Sequence, residues 1–235
     1  SVATAGIQNN PDSIGPRLSY DGHFVLFSSW SDRLVPGYSG SGVFVHDLYT
    51  NITEVVTIAT DGTPANGASF GGAISDDGRL VAFLSYATNL DDEAIPETVN
   101  VYLHDRQTGE TSWVWTPPQY VHITFMDMSG DGRYLVIGTE TSCYYDICDD
   151  VIYLYDRQAG QIIGHLNDAY ASSGSYQVLA TDGPVIAILS DSVLDPADVD
   201  LGADVYRHDF ATGKTTLVTV GLSIWYDTPS NVAIS

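Results

Sequence analysis

The stretch Ile74–Ser85, ISDDGRLVAFLS, decides the fold. It pairs Asp-Gly, a strong short-range hairpin signal, with an apolar run of strand length. The same phrase occurs three more times: LSYDGHFVLFSS at Leu18–Ser29, MSGDGRYLVIGT at Met128–Thr139 and LATDGPVIAILS at Leu179–Ser190. The turn aspartates are Asp21, Asp77, Asp131 and Asp182, at intervals of 56, 54 and 51 residues. A second mark follows each phrase. It reads VFVHD, VYLHD, IYLYD and VYRHD, ending at Asp47, Asp105, Asp156 and Asp209. A fixed period of this size is the signature of a repeat architecture.

Each unit divides into four strands. A short first strand ends in Ser or Ala, and Asp-Gly makes a tight hairpin turn. The second strand is apolar almost throughout, as expected when both of its faces are buried. After a variable loop, the third strand places Phe44, Tyr102, Tyr153 and Tyr206 in one column, with Val43, Val101, Ile152 and Val205 facing the other way. A second turn leads to a more polar fourth strand. No segment carries a 3.6-residue apolar period. The expected fold is therefore all-β: a β-propeller of four-stranded antiparallel blades, with four repeats visible. One blade cannot bury both its faces alone, and stacked neighbours bury them all. The blades are expected at residues 16–59, 70–116, 124–167 and 176–220. Residues 1–19 align without a gap onto 217–235, each running from a fourth strand through a linker to a first strand. Residues 1–15 are thus expected to end a preceding blade and 221–235 to open a following one, so that the chain is expected to be part of a larger propeller; the alternative is a four-bladed ring with frayed ends.

The motifs S-x-DGR-x-VAF-x-S-x-ATNL and D-x-F/Y-x-x-D-x-x-TG-x-T resemble the TolB-type, WD40-like β-propeller repeat of bacterial envelope and secreted proteins. Ile74–Thr111 carries them best, and the linker ATDGTPANGASFG at Ala59–Gly71 has the same character. The resemblance implies protein–protein interaction or scaffolding. It also implies a second use, as the gating propeller of prolyl-oligopeptidase-like enzymes. Three departures stand out. His23 and Pro184 occupy the place of Arg79 and Arg133, and His or Tyr precedes the third-strand Asp where Arg is usual. All fall in surface turns and leave the expected fold intact.

Composition bounds the partners. Of 235 residues 44% are hydrophobic, with 15 Tyr, 7 Phe and 4 Trp, which is ample core material. The net charge is −22, and Lys214 is the one lysine. Such a surface repels phosphate backbones and anionic lipid, so nucleic-acid and membrane partners are not expected. Cations or basic protein surfaces suit it better. No apolar run approaches the ~18 residues that cross a bilayer as a helix. The chain opens at Ser1 with no visible signal peptide and is expected to be processed or cut from something longer. Cys143 and Cys148, in SCYYDIC, lack the partners of a metal site. They are expected to form a local disulfide, which fits an oxidising, secreted or periplasmic location. The sequon Asn51-Ile52-Thr53 is no more than chance supplies in this length.

Several stretches invite a chemical reading. Gly67-Ala68-Ser69-Phe70-Gly71 matches G-x-S-x-G, but a nucleophile elbow needs a strand before it and a helix after it. Here a linker precedes and a strand follows. His46, His104 and His208 each precede an Asp at one blade position. No Ser or Cys recurs beside them, and the Asp suits the capping of a turn. Arg17 and Asp127 fall on first strands, which line the axial channel of a propeller, and could contact a ligand there. Trp113 and Trp115 alternate with Val114 and are expected on one face. Asp198, Asp200 and Asp204 crowd the second-to-third-strand loop of the fourth unit, with Gly202 permitting a sharp turn. They form a candidate Ca²⁺ site that falls short of a full EF-hand pattern.

The function expected from these features is a non-catalytic secreted or periplasmic interaction or scaffold module with a protein partner. The alternative is the substrate-binding or gating propeller of a larger hydrolase or lyase. If the acidic loop holds an ion, millimolar Ca²⁺ should raise the melting temperature and Asp200→Asn should abolish that gain. Calorimetry showing no heat on adding Ca²⁺ would end the idea.

Overall fold

The computed structural model describes residues 12–141, 150–168, 179–180, 183–190, 192–199 and 202–219. Every regular element among them is a β-strand. Sixteen strands form four antiparallel four-stranded sheets, each paired in simple sequence order. The first sheet comprises β1 (Ser13–Leu18), β2 (Phe24–Ser29), β3 (Gly42–Asp47) and β4 (Ile52–Val55). The second comprises β5 (Ser69–Ile74), β6 (Leu80–Ser85), β7 (Asn100–Asp105) and β8 (Glu110–Trp115). The third comprises β9 (Val121–Met128), β10 (Tyr134–Thr141), β11 (Asp150–Asp156) and β12 (Gln161–Asp168). The fourth comprises β13 (Leu179–Ala180), β14 (Val185–Ser190), β15 (Asp204–Asp209) and β16 (Lys214–Leu217). These are the four blades expected from the repeat. The chain divides into two compact units, Ser1–Gln119 and Tyr120–Ser235, with two blades in each.

In the first unit the two blades pack face to face. Leu26, Val43 and Val45 of blade one meet Val81, Phe83 and Tyr102 of blade two in a single cluster. Each of these side chains contributes roughly 1.5–3 kcal/mol by leaving water. The opposite face of blade one is closed by its own loop, whose Leu34 and Tyr38 cover Phe27 and Phe44. Strand β6 is buried at every position, so the apolar run of the opening phrase is explained by burial on both faces. Both β1 and β5 carry a bulge at matching positions, between Ile14 and Arg17 and between Phe70 and Ala73. The β5 bulge uses Gly71 and Gly72, both at positive φ, and Leu26 of the neighbouring blade fills the space beside Gly72.

In the second unit Tyr134, Val136, Ile152 and Leu154 of blade three pack with Ile186 and Ile188 of blade four, and Phe210 joins from the turn after β15. Phe210 lies so close to Gly164 that a Cβ there would sit 2.7 Å from its ring.

Gly78 tests the blade interface of the first unit. Its φ is +69°, and a Cβ would lie 2.1 Å from the Phe24 ring of blade one. That ring is held by contacts, with His23 stacked on it at 4.0 Å and the Arg106 guanidinium over it at 4.3 Å, so moving it would disturb both. Gly109 has a similar φ of +76° but open space around it. Gly109→Ala should cost about 1 kcal/mol, the backbone penalty alone. Gly78→Ala should cost about 2–4 kcal/mol, because overpacking adds to that penalty. Chemical denaturation of the two variants side by side checks the difference.

Candidate functional site

The polar residues that mark the repeat gather at the ends of the hairpins. The Asp-Gly connection is longer than a two-residue hairpin turn. In blade two Gly78 N–H donates to Ser75 O (2.9 Å) and Ser75 N–H to Leu80 O (3.0 Å). The buried Ser75 hydroxyl donates to Asp77 Oδ1 at 2.6 Å and accepts from Leu80 N–H at 2.9 Å. Asp77 Oδ1 also accepts from Arg79 N–H at 2.9 Å. Ser19 with Asp21, and Ser129 with Asp131, make the same bonds in blades one and three. The serine, not the Asp-Gly alone, therefore sets the turn. Ala180 stands in its place in blade four.

The turn is then tied to the far end of the third strand. Arg79 forms a fork on Asp105, with Nε to Oδ1 at 2.9 Å and Nη2 to Oδ2 at 2.6 Å. Arg133 does the same to Asp156, at 3.1 and 2.8 Å. Each Asp also caps the next turn, accepting from Gln107 N–H at 2.9 Å and Gln158 N–H at 2.8 Å. The hydrogen-bonded guanidinium holds the Asp105 carboxyl down at about 2 and shifts Asp156 the same way. The departures noted in the sequence fall on this clamp and are not incidental to the turn. His23 Nε2 meets Asp47 Oδ1 at 2.8 Å in place of Arg. Burial works against the charge on Asp47, but backbone N–H groups of Thr50 and Tyr49 hold its carboxyl well below the usual range. Pro184 has no side-chain donor, and Arg207 approaches Asp209 at 3.6 Å instead.

The His-Asp pairs have a structural role, as expected, but through a partner that the sequence reading missed. His46, His104 and His208 place Nδ1 at 2.8, 2.8 and 2.9 Å from the hydroxyls of Thr53, Thr111 and Thr215 on the paired fourth strand. The signal was legible as H-D-x5-T. Thr111 gives its one proton to the Ile58 carbonyl, so His104 Nδ1 must be the donor in that pair. Burial pushes His104 and His208 below the ordinary histidine range. The same bonds account for the sequon. Thr53 is buried against His46, and Asn51 takes a φ of +57° in the turn.

The remaining candidates lie on different strands. Ser69 of G-x-S-x-G is buried on strand β5, 2.8 Å from the Ser85 hydroxyl. Arg17 is exposed on β1 in the first unit, and Asp127 is half-buried on β9 in the second, where its Oδ1 accepts from Met128 N–H at 3.0 Å. Trp113 and Trp115 do not share a face. A bulge sets Trp113 opposite Tyr102 and Trp115 opposite Val101, adjacent residues that point opposite ways. Trp113 packs on the core cluster, and its indole donates to Thr116 Oγ1 at 2.9 Å.

In the acidic loop Asp198 accepts from the Tyr206 hydroxyl and Asp204 from the Thr219 hydroxyl, both carboxylates being buried. Asp195 caps Ala197 N–H at 2.9 Å and Leu217 N–H at 3.0 Å. Asp91 plays the same part in blade two, toward Glu93 and Trp113. These bonds supply donors to the loop carboxylates within the chain. Among the described residues, no group of three or more His, Cys, Asp or Glu is arranged to hold a metal ion. Asp200, Cys143 and Cys148 lie outside the described residues.

No protein-family model matches the sequence, and no curated protein does. Solved structures do. The chain is similar to the β-propeller domain of the Trilobed protease from Pyrococcus furiosus, at 14% identity and TM-score 0.58, over 90% of this chain and 58% of that one. It is similar to Pyrococcus horikoshii acylaminoacyl peptidase at 12% identity and TM-score 0.61, over 94% of this chain and 34% of that one. TolB from Acinetobacter baumannii is also similar, at 17% identity and TM-score 0.48, over 92% of this chain and 46% of that one. The chain thus spans 58% or less of each of these structures. The fold is a β-propeller, as the repeat implied.

The clamp makes a signed prediction. A carboxyl held at about 2 contributes stability that is present above its ordinary pKa of about 4 and is lost as the pH falls through 2. Arg79→Met should lower stability near neutral pH by about 1 kcal/mol, since the pair is partly exposed. The gap between wild type and variant should close between pH 4 and pH 2. Thermal melts across pH 1–7 measure it, and a gap that persists below pH 2 would mean that packing, not the ion pair, was lost.

Proposed function

We propose that this chain is a non-catalytic, protein-binding segment of a secreted or periplasmic β-propeller longer than the four blades described. One observation carries this reading. The repeated Ser, Arg, Asp, His and Thr side chains are used within the blades, each bonded to another part of its own blade. What varies from blade to blade is the loop between the second and third strands, and varied loops on a rigid scaffold are where recognition resides. The strongly acidic surface favours a basic partner. A disulfide between Cys143 and Cys148 would suit an oxidising compartment.

A second reading, the propeller of a larger hydrolase, draws on the two peptidase structures among the similar folds. Propellers host both uses, so the fold does not choose between them. Affinity capture from the source organism, followed by binding measurements with the purified partner, tests the first reading. The expected result is a saturable complex of the two purified proteins and no turnover of peptide or ester substrates. Turnover by the full-length protein, abolished by a single substitution of a nucleophile, would overturn it in favour of the second.

A further inference from the structure

At the loop end of the first unit two aromatic side chains stand half out of water at equivalent blade positions. Trp30 follows β2 and is 53% exposed, and Tyr86 follows β6 and is 50% exposed. Both positions follow the second strand of adjacent blades, and the blades are bonded to each other beside them. Ser29, next to Trp30, pairs with Gly42, and the adjacent Ser41 hydroxyl crosses to blade two and donates to Ser69 O at 2.9 Å. Ser69 is followed by Phe70, whose ring lies 6.0 Å from that of Tyr86. Ile95 adds a third exposed apolar side chain from the loop that follows Tyr86. Large apolar side chains left exposed at one end of adjacent blades mark candidate binding surfaces.

The loops that carry them are strongly acidic. Residues 30–41 and 86–99, with Asp12 at the start of β1, hold Asp12, Asp32, Asp91, Asp92, Glu93 and Glu97. The only cation among those residues is Arg33, itself 3.8 Å from Asp32. Asp91 is occupied with backbone N–H groups, whereas Asp92, Glu93 and Glu97 project from an exposed stretch. Exposed aromatic rings on loops rich in carboxylates suit a guanidinium or ammonium group, which gains from the ring quadrupole and from the charge together.

We propose that the loop end of the first unit, at Trp30 and Tyr86, docks a Lys- or Arg-rich segment of a protein partner. This rests on the reading of the chain as a protein-binding module and assigns the surface and the partner's chemistry. A fluorescein-labelled arginine-rich octapeptide is the probe, with a glutamate-rich octapeptide as control, both read by anisotropy against the whole chain. Only the basic peptide should bind, with affinity falling as salt rises. Trp30→Ala and Tyr86→Ala should each weaken binding about fivefold with unchanged melting temperature. The triple variant Asp92→Asn, Glu93→Gln, Glu97→Gln should weaken it further and flatten the salt dependence. Binding unchanged by either aromatic substitution would show diffuse attraction to an acidic protein and overturn the proposal. No binding of the basic peptide would overturn it equally, while a captured partner that binds elsewhere would leave the module reading standing.

Discussion

Each of the first three blades depends on one cross-link between its two hairpins. The carboxylate that ends the third strand is held by a donor that follows Asp-Gly, and the same carboxylate caps the turn into the fourth strand. Four strands are thereby fastened at one end by a single side chain with several bonds. The opposite end is fastened by different residues in different blades, Asn100 with Thr116 in one and Asp204 with Thr219 in another, and its loops vary. That polarity separates the repeated, structural end of a blade from the end where loops differ. It follows from register, since the donor begins the second strand where the adjacent third strand ends at the Asp.

Much of this was legible in the sequence. The period, the four strands per unit, the double-sided burial of the second strand and the capping aspartates all follow from residue type and spacing. What was not legible required knowing which residues face each other. Ser75 looked like the end of a strand, yet it organises the whole turn. Thr111 lies seven residues from His104, so the pair exists only once β7 and β8 are in register. Trp113 and Trp115 obey alternation in the sequence, and a bulge overrides it because one extra residue reverses the faces. The acidic loop of blade four was legible as charge but not as bonding. Tyr206 and Thr219 are distant in sequence from the carboxylates they reach.

The blades solve the same local problems with different residues. Asn100 reaches Thr116 in blade two, and Asp204 reaches Thr219 in blade four. In blade one the position is Gly42, and the Tyr38 hydroxyl comes in from the loop to meet Thr57 at 2.9 Å. A Cβ on Gly42 would lie 2.5 Å from that hydroxyl, so the glycine and the tyrosine are one solution in two parts. Substitution across the repeat therefore trades a short polar side chain on the strand for a long one from the loop.

The linker between blades one and two has a consequence for cooperativity. Thr111 on β8 donates to the Ile58 carbonyl, while its own N–H donates to Thr60 Oγ1 at 3.0 Å. Arg106 of blade two also grips Glu54 on β4 of blade one. The outermost strand of each of these blades is thus bonded to residues that belong to its neighbour. In a one-dimensional array, bonds of this kind raise the coupling between adjacent units relative to the stability of each unit. The smallest piece of the first unit that keeps its bonds is therefore the pair, and proteolytic nicking between residues 56 and 68 would disable two blades at once.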